Sequence, residues 1–169
     1  MPELPEVETT LRGIRPHMQG RILTSVAVRE PRLRWPVSEA LYALRDCPVV
    51  ALRRRAKYLL IELEHGQVLI HLGMSGTLRV VDATLPLRKH DHVDLLLDSG
   101  KALRFNDPRR FGTVLFQAGE EPHSLLQSLG PEPLSEAFNG EGMFARSRGR
   151  KVAVKSFIMD NATVVGVGN

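Results

Sequence analysis

The sequence predicts an α+β chain: one helix, then a β-sandwich or barrel, then a helical segment. Three observations carry this. Leu4, Val7, Leu11 and Ile14 recur at three- and four-residue steps, the apolar stripe of an amphipathic helix. From residue 48 to 117, short apolar runs alternate with turn signals such as His65-Gly66 and Ser99-Gly100, the pattern of many short strands in a sandwich or barrel. At Gly130-Pro131-Glu132-Pro133 two prolines and a glycine mark a linker, and helix-like stretches follow it.

Taken in order, the first helix carries Pro5 near its start, where a missing N–H costs nothing. It is expected to end before Pro16 and Gly20. Residues 21–29 read as a strand. Ser38 to Arg45 reads as a short helix with Ser38 as N-cap. The strand-like runs are then 48–54, 57–63, 66–71, 77–81, 92–97, 101–106 and 112–117. Beyond the linker, 135–146 and 151–160 look helical. The division expected is a β domain over 1–130 and a helical piece over 131–169. No internal repeat or low-complexity tract interrupts this order.

The totals bound the function. The 169 residues suffice for one domain, or one and part of another. A hydrophobic content of 43% supports a packed core rather than disorder. A net charge of +4 and a pI of about 9.6 suit a polyanionic partner. The one cysteine, Cys47, excludes an intramolecular disulfide framework and a Cys-cluster zinc site, and fits a reducing cytoplasm. The acidic, proline-bearing start is not a signal peptide. No apolar run approaches the ~20 residues that span a membrane.

The stretch most suggestive of chemistry is Met1-Pro2-Glu3-Leu4-Pro5-Glu6. Removal of Met1 leaves Pro2 with a free secondary amine. Such an amine can attack an aldehyde-like carbon and form an iminium. It titrates near ~8, so part of it is neutral at physiological pH. Glu3 and Glu6, three apart on a helix, can both sit beside it, and a carboxyl group beside a nucleophile serves acid–base work. Acidic residues also suit a first helical turn for the dipole alone, and the residues by themselves leave both readings open.

Five further clusters carry candidate residues. With strand alternation, Arg53, Arg55 and Lys57 share one face; a row of cations can clamp phosphates, or can be a solvated face. His71-Leu72-Gly73-Met74-Ser75-Gly76 ends a strand in a glycine-bracketed turn. Met74 there is either core packing or an apolar wedge for a gap in a duplex. In Asp107-Pro108-Arg109-Arg110-Phe111-Gly112, Arg109 can reach a base edge and Phe111 can insert between base pairs. The alternative for Arg109 is a salt bridge to Asp107. His90, His92 and Asp94 would share a strand face, yet no fourth ligand or water-activating Glu completes a metal site. Arg146, Arg148, Arg150, Lys151 and Lys155 form a basic run that also fits a solvated tether.

The strings PELPEVET, RRRAKYLL, HLGMSG, KHDHVD, DPRRFG, LGPEPL and VVGVGN resemble, in order and over the whole chain, the bacterial formamidopyrimidine-DNA glycosylases. The resemblance implies a two-layer β-sandwich with flanking helices, followed by the start of a helix–two-turn–helix domain. It implies base excision of oxidised purines, with Pro2 as Schiff-base nucleophile, Glu3 in proton transfer and Glu6 supporting the amine. Lys57 is implied in phosphate binding and elimination. Met74, Arg109 and Phe111 are implied to fill the opened duplex. His71, His90, Arg150, Lys151, Lys155 and Asn169 are implied against DNA. The implied setting is the bacterial cytoplasm, near the nucleoid, as a monomer on damaged double-stranded DNA. A family zinc finger, with its structural zinc, lies beyond Gly166-Val167-Gly168-Asn169; no cofactor is expected within these residues. The reading therefore expects most of the helical domain to be missing, apolar surface left open around Phe157, Ile158, Val164 and Val165, and weak or no activity on duplex DNA. Two alternatives accompany it: a non-catalytic DNA-binding remnant, and a relative that prefers oxidised pyrimidines.

Overall fold

A computed structural model describes residues 1–169. Helix α1 (Leu4–Met18) buries Val7, Leu11, Ile14 and Met18, the stripe read from the sequence plus one further turn. It passes through Pro16 instead of ending before it. Proline removes one intrahelical bond near the helix end. Full burial of Met18 and the bond from Gln19 N–H to Arg15 O keep the last turn in place.

Eight strands follow: β1 (Ile22–Val28), β2 (Cys47–Arg55), β3 (Tyr58–Leu63), β4 (Gly66–His71), β5 (Thr77–Asp82), β6 (Asp91–Leu97), β7 (Lys101–Asn106) and β8 (Thr113–Ala118). All pairings are antiparallel, in the order β5-β7-β6-β1-β2-β3-β4-β8. The middle joint is narrow: β1 meets β2 only through Ile22↔Pro48 and Leu23↔Cys47. The sheet thus divides into two four-stranded leaves. Their apolar faces share one core, with Ile61, Val68 and Ile70 from one leaf, Leu95, Leu103 and Phe105 from the other, and the α1 stripe beside them.

The short helix α2 (Glu39–Tyr42) lies where the sequence places it, but Ser38 makes no side-chain cap. Its hydroxyl accepts instead from Phe116 N–H, fastening the helix entry to β8. Beyond the sheet come α3 (Ser124–Gln127), which sequence reading missed, α4 (Gly140–Ser147) and α5 (Val154–Met159). α4 starts at Gly140 rather than 135 because the Asn139 side chain accepts from Gly142 N–H and sets the first turn there.

The expected open apolar surface is not where the sequence put it. Phe157, Val164 and Val165 are buried, and Ile158 is half-buried. The chain after α5 folds back onto the linker: Gly130 N–H donates to Asn161 O and Val165 N–H to Pro131 O. The apolar side chains left in solvent are instead Leu134, Phe144, Val152 and Val154. The basic run is likewise no loose tether. Arg146 donates to Thr163 O, Arg148 lies over the Phe144 ring and Arg150 over the Phe157 ring. No helix is long and apolar enough to cross a membrane.

Candidate active site

The start of α1 is locked by a reciprocal capping box. Glu3 N–H donates to Glu6 Oε2 at 3.0 Å, while the Glu3 carboxylate receives the Glu6 backbone N–H. Glu6 therefore fixes the peptide that follows Pro2. The Lys57 ammonium donates to Glu3 Oε2. Pro2 lines a cavity of about 470 Å³ together with Met1, Glu6, Thr10, Leu72, Gly76 and Leu78. Met1 itself is 66% exposed. Pro2, Glu3, Glu6 and Lys57, scattered as one terminus and one distant strand in the sequence, are thus gathered at one helix end.

Lys57 reaches Glu3 from a turn, not from a strand face. β2 and β3 pair Arg55 with Tyr58, which leaves Ala56 and Lys57 as a two-residue hairpin turn. Ala56 takes φ +53°, a left-handed conformation that costs a non-glycine residue. Its N–H is held by Glu132 Oε1 at 2.7 Å. Arg53, Arg55 and Lys57 do not share one strand face as an unpaired row of cations. Arg54 binds Glu8 and Glu132, Arg55 binds Glu132 and the carbonyls of Leu129 and Gly130, and Arg53 pairs with Glu62. Glu132 is the hub here; the sequence showed it within the LGPEPL string and between two prolines but gave it no role. Burial pushes its carboxyl pKa up, but the Ala56 N–H and the two guanidinium groups outweigh that and hold it below the usual range.

The chain end closes over the same place. A side chain on Gly166 would strike Leu4, with Cδ1 at 2.2 Å, and one on Gly168 would strike the Glu3 carboxylate, with Oε2 at 2.7 Å. The alternating glycines of Gly166-Val167-Gly168 were the visible signal for this close approach. Asn169, next along, is exposed.

Met74, Arg109 and Phe111 come together on one rim. Gly73 has φ +62° and packs so tightly that a Cβ would lie 2.6 Å from the Phe111 carbonyl carbon. Met74 and Phe111 are each 42% exposed, an unusual position for large apolar side chains on adjoining turns. The Arg109 guanidinium lies over the Phe111 ring, 4.9 Å from its centroid, and forms no salt bridge to Asp107. Leu72 and Gly76, on either side of the Met74 turn, line the Pro2 cavity, so the rim and the cavity are contiguous.

His71 ends β4, at the entry to the Met74 turn. Its Nδ1 accepts from Gly73 N–H at 3.0 Å, and its ring lies 4.8 Å from that of Tyr58. Burial, then the positive charges of Lys57 and Arg34, push the imidazole pKa down, which keeps Nδ1 free to accept. His90 is outside β6, at φ +72°. His92 is buried and its Nε2 donates to Asp107 O. Both Asp94 oxygens are taken by Arg104, and one also by Arg29. No group of three or more His, Cys, Asp or Glu side chains is placed to hold a metal ion. Arg150, Lys151 and Lys155 are exposed, with Asp160 3.9 Å from Arg150; none of the three adjoins the Pro2 cavity lining. A larger hollow, about 940 Å³, lies against Leu60, Leu63, Leu126 and Leu129. Arg53 and Arg55 line it, but none of Pro2, Glu3, Glu6, Lys57, Met74, Arg109 or Phe111 does.

Residues 1–114 match the family model for the formamidopyrimidine-DNA glycosylase N-terminal domain. The chain belongs to the formamidopyrimidine-DNA glycosylase family. Its similarity to the family's Alcanivorax borkumensis member is 90% identity over 169 residues, all of this chain and 63% of the relative. The Edwardsiella ictaluri member is 58% identical over the same span, again 63% of its length. Among solved family structures, MutM (Fpg) from Thermus thermophilus superposes with a TM-score of 0.85 at 37% identity, covering 99% of this chain and 60% of that one. Lactococcus lactis Fpg bound non-covalently to DNA containing an AP site superposes with a TM-score of 0.90 at 29% identity, over 99% and 66%. The chain therefore spans just under two thirds of the curated family members it matches, and its sheet-and-helix architecture is theirs.

Proposed function

We propose that this chain carries the nucleophile-bearing part of a bifunctional DNA glycosylase and AP lyase acting on oxidised purines such as 8-oxoguanine and formamidopyrimidines. One observation carries the reading. A potential amine at Pro2, a Glu3 carboxylate held by Lys57 and a cavity lie directly beside a rim of exposed Met74, Arg109 and Phe111.

In this reading the damaged nucleotide leaves the stack, and Met74, Arg109 and Phe111 take its place in the duplex. Pro2 nitrogen attacks C1′ of the sugar as the glycosidic bond breaks and the base departs. Glu3 takes the proton that the Pro2 nitrogen releases and passes it to the ring oxygen, the sugar opens, and the nitrogen–carbon bond becomes an iminium. That cation acidifies C2′. Loss of a C2′ proton expels the 3′ phosphate by β-elimination, and water then hydrolyses the iminium and frees Pro2. Lys57 holds Glu3 and lies near the sugar–phosphate. His71, His90, Arg150, Lys151, Lys155 and Asn169 are assigned to DNA contact, which orients without reading sequence. We assign residues 1–130 to the catalytic β-sandwich and 131–169 to the beginning of the helical DNA-binding domain. Structural zinc belongs, in this reading, to a zinc finger outside these residues. A cytoplasmic, nucleoid-associated monomer completes it.

The test is borohydride trapping on an 8-oxoguanine duplex. The partners are the 169-residue chain and a chimera that adds the remainder of the Alcanivorax relative. The expected result is a strong cross-link from the chimera, little from the shorter chain, and none from either when Pro2 is replaced by glycine and mass spectrometry shows the new terminus acetylated. A full adduct from that blocked chimera would overturn the assignment.

A further inference from the structure

The three rim residues come from two separate turns, Leu72–Gly76 after β4 and Asp107–Gly112 after β7, and one buried carboxylate joins them. Asp107 is fully buried. Its Oδ1 accepts from Ser75 Oγ at 2.6 Å and its Oδ2 from Gly112 N–H at 2.8 Å. Ser75 Oγ in turn accepts from Arg109 N–H at 3.1 Å. Asp107 makes no ion pair, although a buried carboxylate without a cation is costly to keep. Its remaining backbone bonds anchor it to the sheet end. Its N–H donates to His90 O, and its carbonyl accepts from His92 Nε2 and Arg110 N–H.

We infer that Ser75 and Asp107 are positioning residues that lock the Met74 turn and the Arg109–Phe111 turn into one rigid wedge. Asp107 is buried and Ser75 half-buried, so both act through the exposed wedge residues. Ser75 is the pin, because its single hydroxyl donates to the other turn's carboxylate and accepts from that turn's backbone. Gly73 and Gly112 let the two turns approach closely enough for that pin to span them. Without it, Met74 and Phe111 would sample separate orientations, and entering a base stack would require ordering both at once. The inference rests on the proposed wedge role of Met74, Arg109 and Phe111.

The test uses the chimera carrying Ser75→Ala, with Ser75→Thr as the hydroxyl-preserving control. Two substrates separate wedge from chemistry. An 8-oxoguanine duplex with 2-aminopurine beside the lesion reports opening. A single-stranded oligonucleotide with a preformed abasic site needs no wedge and reports the Pro2 site alone. Ser75→Ala is expected to slow opening and duplex excision about tenfold, the scale of one hydrogen bond to a charged group. Cleavage of the single-stranded abasic substrate stays within about twofold, and Ser75→Thr recovers most of the duplex rate. Equal losses on both substrates, or no loss on the duplex, would overturn the inference while leaving the proposed reaction standing. A wild-type chimera inert on both substrates would sink the reaction itself, and the wedge with it.

Discussion

Lys57, in the β2–β3 turn, donates to the carboxylate of Glu3 at the cap of α1. That contact joins two pieces of chain 54 residues apart, and it places a cation at the helix N-terminus, beside the residue that follows Pro2. The Glu3 carboxylate is therefore held by the Lys57 ammonium and the Glu6 backbone N–H, with Gly168 packed close against it.

Replacing Lys57 by methionine should cost function far more than stability. The pair is part-exposed, and such pairs contribute about 0–1 kcal/mol. Trapped adduct from the chimera should fall at least about tenfold, the loss of roughly one charge-assisted bond in a reacting site. Urea unfolding midpoints alongside single-turnover trapping would check both halves, and parallel losses would count against a chemical role.

The imidazole of His71 should stay neutral below the pH at which a free histidine protonates. Its pKa is pushed down by burial, then by Lys57 and Arg34. The folded chain thus binds fewer protons than the unfolded one just below pH 6.5, so stability from this group is full above that pH and declines as pH falls towards the folded value. Protonating Nδ1 also breaks its bond from Gly73 N–H, which loosens the Met74 turn. Nitrogen-15 spectra of the imidazole from about pH 7 down to about pH 5, the range in which an ordinary histidine titrates, should show the neutral form persisting. His71→Gln should flatten the stability change over that range.

Glu132→Gln should destabilise by about 1–3 kcal/mol, the range for weakening a part-buried charge network. Its carboxyl pKa lies below 4.5, so the stability it contributes is present above that pH and lost as pH falls through the folded value. Glu8, held low by Arg54 first and then Arg12 against burial, titrates in the same direction. Urea melts at about pH 7 and about pH 3.5, on either side of the carboxylate range, should show a smaller acid loss for Glu132→Gln than for the wild type. The freed linker should also be cut faster by protease around residues 130–139.

Much of the sheet was legible because alternation and turn residues act locally. All eight strands fall within two residues of their predicted limits, and Val7, Leu11 and Ile14 pack as their spacing said. The rest depended on distant partners. Pro16 stays helical because Met18 is wanted in the core. Ser38 gives its hydroxyl to β8 rather than to its own helix. Phe157 and Val165 are covered because the chain doubles back on Pro131, which no window of sequence reveals. In the site, Pro2, Glu3 and Met74 were readable as residue types in unusual places. Glu132 and Asp107 were not, since a carboxylate's value here lies in which backbone N–H groups and hydroxyls converge on it.

The exposed Met1 side chain marks a last consequence. On the proposed chemistry any residue joined ahead of Pro2 ties up the amine, so Met1 acts as a one-residue block that must be cut away before the nucleophile exists. An affinity tag fused ahead of that methionine in the chimera should give a folded but silent protein, whereas the same tag released by a protease that leaves proline first should restore the trapped adduct.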